Sequence, residues 1–392
     1  MVGGGVRDLL LGAAPKDFDI ATSATPEEVR SLFRNCRLIG RRFRLAHVYF
    51  GREIIEVATF RGPGNNDQKN HHSESGRILR DNVFGSAEED ARRRDFTINA
   101  LYLDPVSLEL RDYVGGYADL KSGVLKLIGD PETRFKEDPV RLLRAARFEA
   151  KLGLKLAKKT AGQMQGLGYL LDDMPPARLF EEINKMFLNG FAVPTLHALQ
   201  KHGLMHHLFP GLPHDNGRIN ETRLLKEALI NTDQRVREKK PVTPAFLYAV
   251  LLWQQVKRRS LELLEEGLSD NEALSIAGDE AVSRQVQVIA IPRRFSTVTR
   301  QIWALQPRFR WQKGRRAERL FRDRWFRAAY DFLLLRATEE PDLKPLADWW
   351  TELQTLDNEA RQKALFDQQL RRRRRPRRRR RKQSPNLDNK RA

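Results

Sequence analysis

Residues 53–60 set Ile54, Ile55, Val57 and Ala58 around one carboxylate, Glu56, and this β-rich run predicts a strand that pairs back through a turn at Gly51. Upstream, Asp17, Phe18, Asp19 and Ile20 alternate with period two, so a strand there sends both carboxylates out of one face and Phe18 and Ile20 into the core. Residues 37–40 read as a further strand. Short helices lie between these strands. Gly3, Gly4 and Gly5 form a turn, and residues 6–11 a helix closed by Gly12. Thr25 and Glu28 make a capping box with Pro26 at the first helical position, and Ser86 with Glu89 repeats it ahead of residues 90–92.

Residues 112–123, DYVGGYADLKSG, read as a turn-rich hinge, after which the pattern becomes helical. Asp138 stands as N-cap with Pro139 at the first helical position, and Leu142, Leu143, Ala146 and Phe148 supply an apolar face. Helical periodicity continues to about residue 370, broken by Pro175, Pro176, Gly190, Pro194 and Pro210. Between residues 308 and 336, arginines interleave with Phe309, Trp311, Phe321, Trp325, Phe326 and Tyr330. At helical spacing such aromatics serve as core more often than as base-stacking platforms. Strands first and helices after predict an α+β fold.

With 392 residues the chain buries a sizeable core and divides into subdomains. Its single cysteine, Cys36, forms no intrachain disulfide, no Cys/His cluster has zinc spacing, and a cytoplasmic protein is expected. No apolar run is long enough to span a bilayer, so no membrane partner is expected. The net charge is +20, of which residues 371–392 carry +12 and residues 1–370 carry +8. So dense a basic block, on a body that is itself basic, points to a polyanion.

The candidate chemistry lies near the start. The glycine turn lets a phosphate approach backbone N–H groups, the following helix aims its positive end there, and Arg7 can add a forked pair of bonds. Asp17 and Asp19 are hard oxygen ligands suited to Mg2+, with Glu56 a candidate third acid or the partner of a nearby arginine. Arg41, Arg42 and Arg44, with His47, form either a basic hairpin edge or the lining of an RNA channel. His71 and His72 lie in a loop-like stretch, residues 62–75, without further ligands. Asp138 and Arg141, three apart, share a side of the helix, and a cap with a helix salt bridge is by far the commoner use of such a pair.

In combination, Gly3-Gly4 through Asp8, the Asp17/Asp19 pair, Arg93-Arg94-Asp95-Phe96-Thr97-Ile98-Asn99 and Glu137-Asp138 with Arg141 resemble the ordered motifs of the nucleotidyltransferase superfamily. The branch is the one holding tRNA CCA-adding enzymes and poly(A) polymerases. The resemblance covers residues 1 to about 215. It implies a polymerase β-like catalytic head at residues 1–115, a base-recognising neck at 116–160, an RNA-binding helical body at 161–250, a basic helical domain at 251–370 and an arginine-rich tail at 371–392. Family members start their first strand a few residues before the glycines, after a helix, so Met1 is expected to be a truncated or misassigned start.

The resemblance also implies roles. Asp17, Asp19 and Asp95 would be catalytic, the first two on Mg2+, with Glu56 or Asp95 completing the site. Gly3, Gly4, Arg7 and Arg94 would hold the nucleotide, and Asp138, Arg141 and Arg147 its base. An acceptor at Asp138 and a donor at Arg141 match the Watson–Crick edges of adenine and cytosine and refuse guanine and uracil. Residues 38–48 resemble the poly(A)-adding members, and the basic C-terminus agrees. The activity implied is template-independent transfer of AMP from ATP to RNA 3′ ends, those of mRNA, decay intermediates and tRNA, with RNA-decay proteins as further partners. The alternatives are CCA addition to tRNA and a non-catalytic RNA-binding protein on the same fold.

Overall fold

A computed structural model of the chain describes residues 1–40, 44–62, 83–215 and 218–373. The expectations for Arg41, Arg42, His71, His72 and most of the arginine-rich tail fall outside these residues.

The first helix, α1 (Gly4–Leu10), starts within the glycine run, so Gly4 and Gly5 form its first turn. Strand β1 (Asp19–Thr22) starts at the second aspartate. Asp17 and Phe18 therefore precede the strand, the period-two alternation does not reach back to them, and Phe18 stays 44% exposed rather than entering the core. Helix α2 (Pro26–Leu32) carries the expected capping box, with Glu28 bonded to Thr25 on both sides. Strands β2 (Cys36–Ile39), β3 (Leu45–Phe50) and β4 (Glu53–Thr59) follow. The sheet order is β1-β4-β3-β2, with β1 parallel to β4 and the other pairs antiparallel.

Helix α3 (Ala87–Arg93) has the second capping box, and strands β5 (Leu101–Leu103) and β6 (Leu110–Asp112) form a hairpin. Residues 1–3 lie between β1 and β5. Val2 bridges to Asp19 on one side and to Tyr102 on the other, and Gly3 N–H donates to the Leu101 carbonyl at 3.1 Å. These residues occupy the place of the first strand and tie the two sheet segments together.

Asp112 accepts the N–H groups of Val114, Gly115, Gly116 and Tyr117 at 2.9 to 3.1 Å, which turns the expected hinge into the start of α4 (Gly116–Lys121). Next come α5 (Pro131–Glu137) and α6 (Val140–Leu152). The helical remainder holds α7 (Lys158–Gly166), α8 (Pro176–Phe187), α9 (Ala192–Lys201), α10 (Met205–Leu208), α11 (Arg223–Arg237) and α12 (Pro244–Leu251). It ends with α13 (Trp253–Glu265), α14 (Asp270–Val288), α15 (Arg293–Ala304), α16 (Gly314–Phe321), α17 (Phe326–Arg336), α18 (Lys344–Thr355) and α19 (Asn358–Arg373).

One continuous core runs from Val6 through the α6, α8 and α9 faces to Phe332. A second, around Phe309, Phe326, Tyr330 and Trp350, takes in five of the six aromatics of the arginine-rich stretch, with Phe321 and Trp325 packed against it and Trp311 outside. Under α2, Val29, Ala46 and Val48 seal one face of the first sheet. Among the described residues no helix is long and apolar enough to cross a membrane.

Candidate active site

The face of the sheet away from α2 carries a polar row. Asp19 on β1 stands opposite Glu56 on β4, Glu56 opposite His47 on β3, and His47 opposite Arg37 on β2. Residues in register share a face, so all four side chains leave the same side of the sheet. Glu56 takes His47, not an arginine, as its partner, with Nε2 and Oε2 3.3 Å apart. Partial desolvation, then Glu56, then Asp17 push the Asp19 carboxyl above the usual range, with Arg94 pulling the other way. After burial, Glu56 and Asp17 are the groups that raise the Asp19 pKa, and a cation at Asp19 would relieve that repulsion. Two direct carboxylates with water and phosphate filling the octahedron suit Mg2+. No group of three or more His, Cys, Asp or Glu among the described residues could enclose a metal unaided.

Arg94 lies beneath the glycine turn. Gly3 takes φ 77°, a region that favours glycine, and a Cβ there would come 3.2 Å from Arg94 Nη1. Asp90, almost fully buried, fixes Arg94 from below through Nε at 3.1 Å and also accepts from the Tyr102 hydroxyl at 2.6 Å. The third candidate acid, Asp95, faces elsewhere. Its Oδ1 accepts from the Phe96 N–H and from Asn99 Nδ2, and its Oδ2 from Arg144 Nε at 2.7 Å. Burial opposes ionisation of Asp95, but Arg144, Asn99 and the Phe96 N–H outweigh it and hold the carboxyl below its ordinary range. The carboxylate beside Asp19 is thus Glu56, while Asp95 is committed to an arginine.

Arg7 is also committed, at 3% exposure. Nε and Nη2 donate to Asp8, Nη1 donates to Asn99 Oδ1 at 2.6 Å, and the guanidinium lies 5.2 Å from the Phe148 ring centre. Asn99 thereby links Arg7 to Asp95, and Asp95 to Arg144, a buried polar chain from α1 to α6. Arg144 and Arg147 approach the same Phe148 ring at 5.6 and 4.8 Å, and Arg147 pairs with the buried Glu182 at 3.4 Å.

Asp138 and Arg141 sit at the α5–α6 junction, where the structure departs from the expected cap and salt bridge. Asp138 ends α5, and α6 starts at Val140 behind Pro139, with no side-chain cap from Asp138. Nor do Asp138 and Arg141 pair with each other. Arg178 on α8 draws the Asp138 carboxylate away at 3.1 Å, while Arg141 Nη1 donates to Glu137 and to the Arg134 carbonyl. Asp138 Oδ1 is buried and accepts no aligned hydrogen bond among the described residues, its close cation being Arg178 Nη2 at 3.1 Å. Arg134 reaches back to the carbonyls of Arg93 and Arg94, closing the end of α3. Arg44 turns to the α2 side and pairs with Glu27, off the catalytic face.

Sequence reasoning missed Arg134, Arg144, Arg178, Asn99 and Glu182 as parts of this site. The spacing of Arg141, Arg144 and Arg147, three apart along α6, is the one local signal that could have found Arg144.

Comparison with known proteins bears on this arrangement. Residues 1–126 match the family described as "Poly A polymerase head domain", residues 153–215 "Probable RNA and SrmB- binding site of polymerase A", and residues 266–384 "Polymerase A arginine-rich C-terminus". Poly(A) polymerase I of Escherichia coli O157:H7 is 50% identical over 364 residues, covering 90% of this chain and 78% of that protein. A CC-adding tRNA nucleotidyltransferase of Halalkalibacterium halodurans is 39% identical over 188 residues, covering 48% of this chain and 44% of that protein. The crystal structure of the Bacillus stearothermophilus CCA-adding enzyme in complex with CTP shares the fold, with TM-score 0.59 at 24% identity over 90% of this chain and 78% of that one. The sequence likeness to poly(A) polymerase I covers 90% of the chain and the three family matches reach from residue 1 to residue 384, so the chain belongs to the poly(A) polymerase family.

Proposed function

We propose that this chain is a template-independent polynucleotide adenylyltransferase that extends RNA 3′ ends by one AMP per turnover, taking ATP and releasing pyrophosphate. The carrying observation is the Asp19–Glu56 carboxylate pair, next to Asp17 in the chain and within the electrostatic reach of Arg94 under the Gly3 turn. Asp17 and Asp19, with Glu56 as the third acid, would hold Mg2+, which supplies a lowered pKa at the attacking 3′-hydroxyl and charge neutralisation on the phosphates.

The remaining steps belong to the chain's own side chains. Gly3 and Gly4 leave room for the triphosphate, and Arg94 faces it from below. Arg7 acts as a buried strut that sets α1 against Asn99, a change from the direct phosphate contact expected of it. Asp138, whose Oδ1 is buried with no aligned hydrogen bond beside its Arg178 ion pair, is the acceptor for the exocyclic amine of adenine. Arg141 and Arg147 line the base site beside it, and Asp95 holds the neck arginine Arg144 in place. The head, neck, body, basic domain and tail divide near residues 115, 160, 250 and 370. RNA-decay proteins are partners for the basic tail.

Incorporation of each labelled nucleoside triphosphate, with Mg2+, onto a generic RNA and onto a tRNA lacking its 3′ CCA tests the reading. Long ladders with ATP alone are expected on both. Addition restricted to C, C and A on the tRNA would overturn it in favour of CCA synthesis.

A further inference from the structure

We propose that the open face of the first sheet is the track of the RNA 3′ end, with Arg37 binding a phosphodiester and Tyr49 stacking on a base a few nucleotides upstream of the reacting hydroxyl. This deepens the adenylyltransferase reading and rests on it for the direction of the strand.

The register sets the geometry. Asp19, Glu56, His47 and Arg37 stand abreast on four adjacent strands, so Arg37 lies roughly 14 Å from Asp19 at the usual inter-strand spacing. The row runs from carboxylates at the reacting end, through a histidine already held by Glu56, to an arginine at the far edge. Arg37 is exposed and makes no ion pair among the described residues, and its guanidinium lies 5.8 Å from the centre of the Tyr49 ring. Arg44 shows the contrast, since Glu27 consumes its charge on the opposite side.

The surroundings fit a nucleic acid strand. Ile54, paired with Tyr49 across β3 and β4, is exposed, and so is Ile39 on β2. The other face of the same strands is buried beneath α2. An aromatic ring next to an unpaired arginine and flanked by exposed aliphatic groups is the combination that binds single-stranded RNA without sequence preference, as growing a homopolymer requires. A protein partner would leave the Arg37 charge to find a carboxylate, whereas an RNA strand starting at the Asp19 end brings a phosphate to it.

The test uses the full chain and has two arms. In the kinetic arm, Arg37→Glu should raise the KM for a short RNA primer by about tenfold, the loss of one phosphate or stacking contact, with the KM for ATP within about twofold. Tyr49→Ala should act in the same direction. Arg37→Lys should recover most of the loss, and Arg37→Ala should lower the salt slope of RNA binding by about 0.7, the value for one single-strand phosphate. Thermal melts should match the parent because the residue is exposed.

The second arm needs no catalysis: primers carrying 4-thiouridine near the 3′ end are photo-crosslinked and the joined peptide is mapped. Crosslinks in β2 or β3 support the track. An unchanged RNA KM in Arg37→Glu, an altered KM for ATP instead, or crosslinks confined to the helical remainder would overturn it. If the parent adds no nucleotide but crosslinks at β2 and β3, the activity assignment fails while the RNA track stands.

Discussion

Asp95 Oδ2 accepts a 2.7 Å hydrogen bond from Arg144 Nε across forty-nine positions of sequence, and this pair fastens the segment after α3 to α6. Arg144→Ala leaves a nearly buried carboxylate without its counter-charge and should cost about 3 kcal/mol of stability.

The same pair sets an acid limb. The native Asp95 carboxyl is held below its ordinary range, so its contribution is fully present above the unfolded pKa of about 4 and is lost as pH falls through the native value. In Arg144→Ala burial is opposed only by the Asn99 and Phe96 bonds, so the Asp95 pKa rises and the loss of stability on acidification shrinks. Urea midpoints of parent and variant at pH 7, 5 and 3.5 should converge as pH falls. A constant gap would mean that Arg144 stabilises by packing alone.

Asp19 carries the opposite sign. Partial desolvation, Glu56 and Asp17 raise its pKa, so folding disfavours the ionised form at neutral pH and the penalty lifts as pH drops through the raised value. Asp19→Asn should therefore melt above the parent in metal-free buffer while incorporating no nucleotide. Mg2+ should raise the melting temperature of the parent and leave that of the variant in place. Asp19→Ala should abolish incorporation with RNA binding nearly intact, and appreciable residual turnover would refute the metal assignment.

The parts legible in the sequence are those whose partners lie within a turn or two. The capping boxes at Thr25 and Ser86, the helix closed ahead of Gly12 and the β3–β4 turn at Gly51 formed as their local chemistry predicts. Partnerships set by strand register or helix docking were not legible, because local pattern does not encode which strand lies next to which. Glu56 pairs with His47, where the alternative to a third acid is a nearby arginine, and Asp138 pairs with Arg178 instead of the Arg141 that its spacing suggests. The alternation at Asp17 and Phe18 misled for a related reason: period two marks a strand only where a neighbour bonds to it, and β1 begins at Asp19.

Asp138 should govern base choice. Its Oδ1 is a buried acceptor, and guanine and uracil present a carbonyl where adenine presents an amine, so the parent should refuse GTP and UTP. Asp138→Ala should raise the KM for ATP by about tenfold, the worth of one hydrogen bond to a charged group, and narrow the margin over GTP. Measured kcat/KM ratios for the four nucleotides check this. Unchanged ratios would leave Asp138 as a simple partner of Arg178.

Gly116 tests how the start of α4 is packed on the Arg94–Asn99 motif. A Cβ on Gly116 would overlap the Thr97 carbonyl oxygen, which belongs to the backbone and has no rotamer to escape into. Thr97 is also tied to α4 itself by the 2.7 Å bond from its hydroxyl to Asp119, so helix and motif are coupled, and relief must come from moving α4 away against that bond or from shifting the motif. Overpacking of this kind costs about 1–3 kcal/mol, and the upper end is expected where the blocked atom is main chain. A shift of Thr97 also passes to Asn99, two residues on, and from there to Arg7 and Asp95. Gly116→Ala should therefore lower both the melting temperature and kcat, whereas Gly123→Ala, whose added carbon meets nothing within 4 Å although its φ of 72° strains the backbone, should lower stability alone.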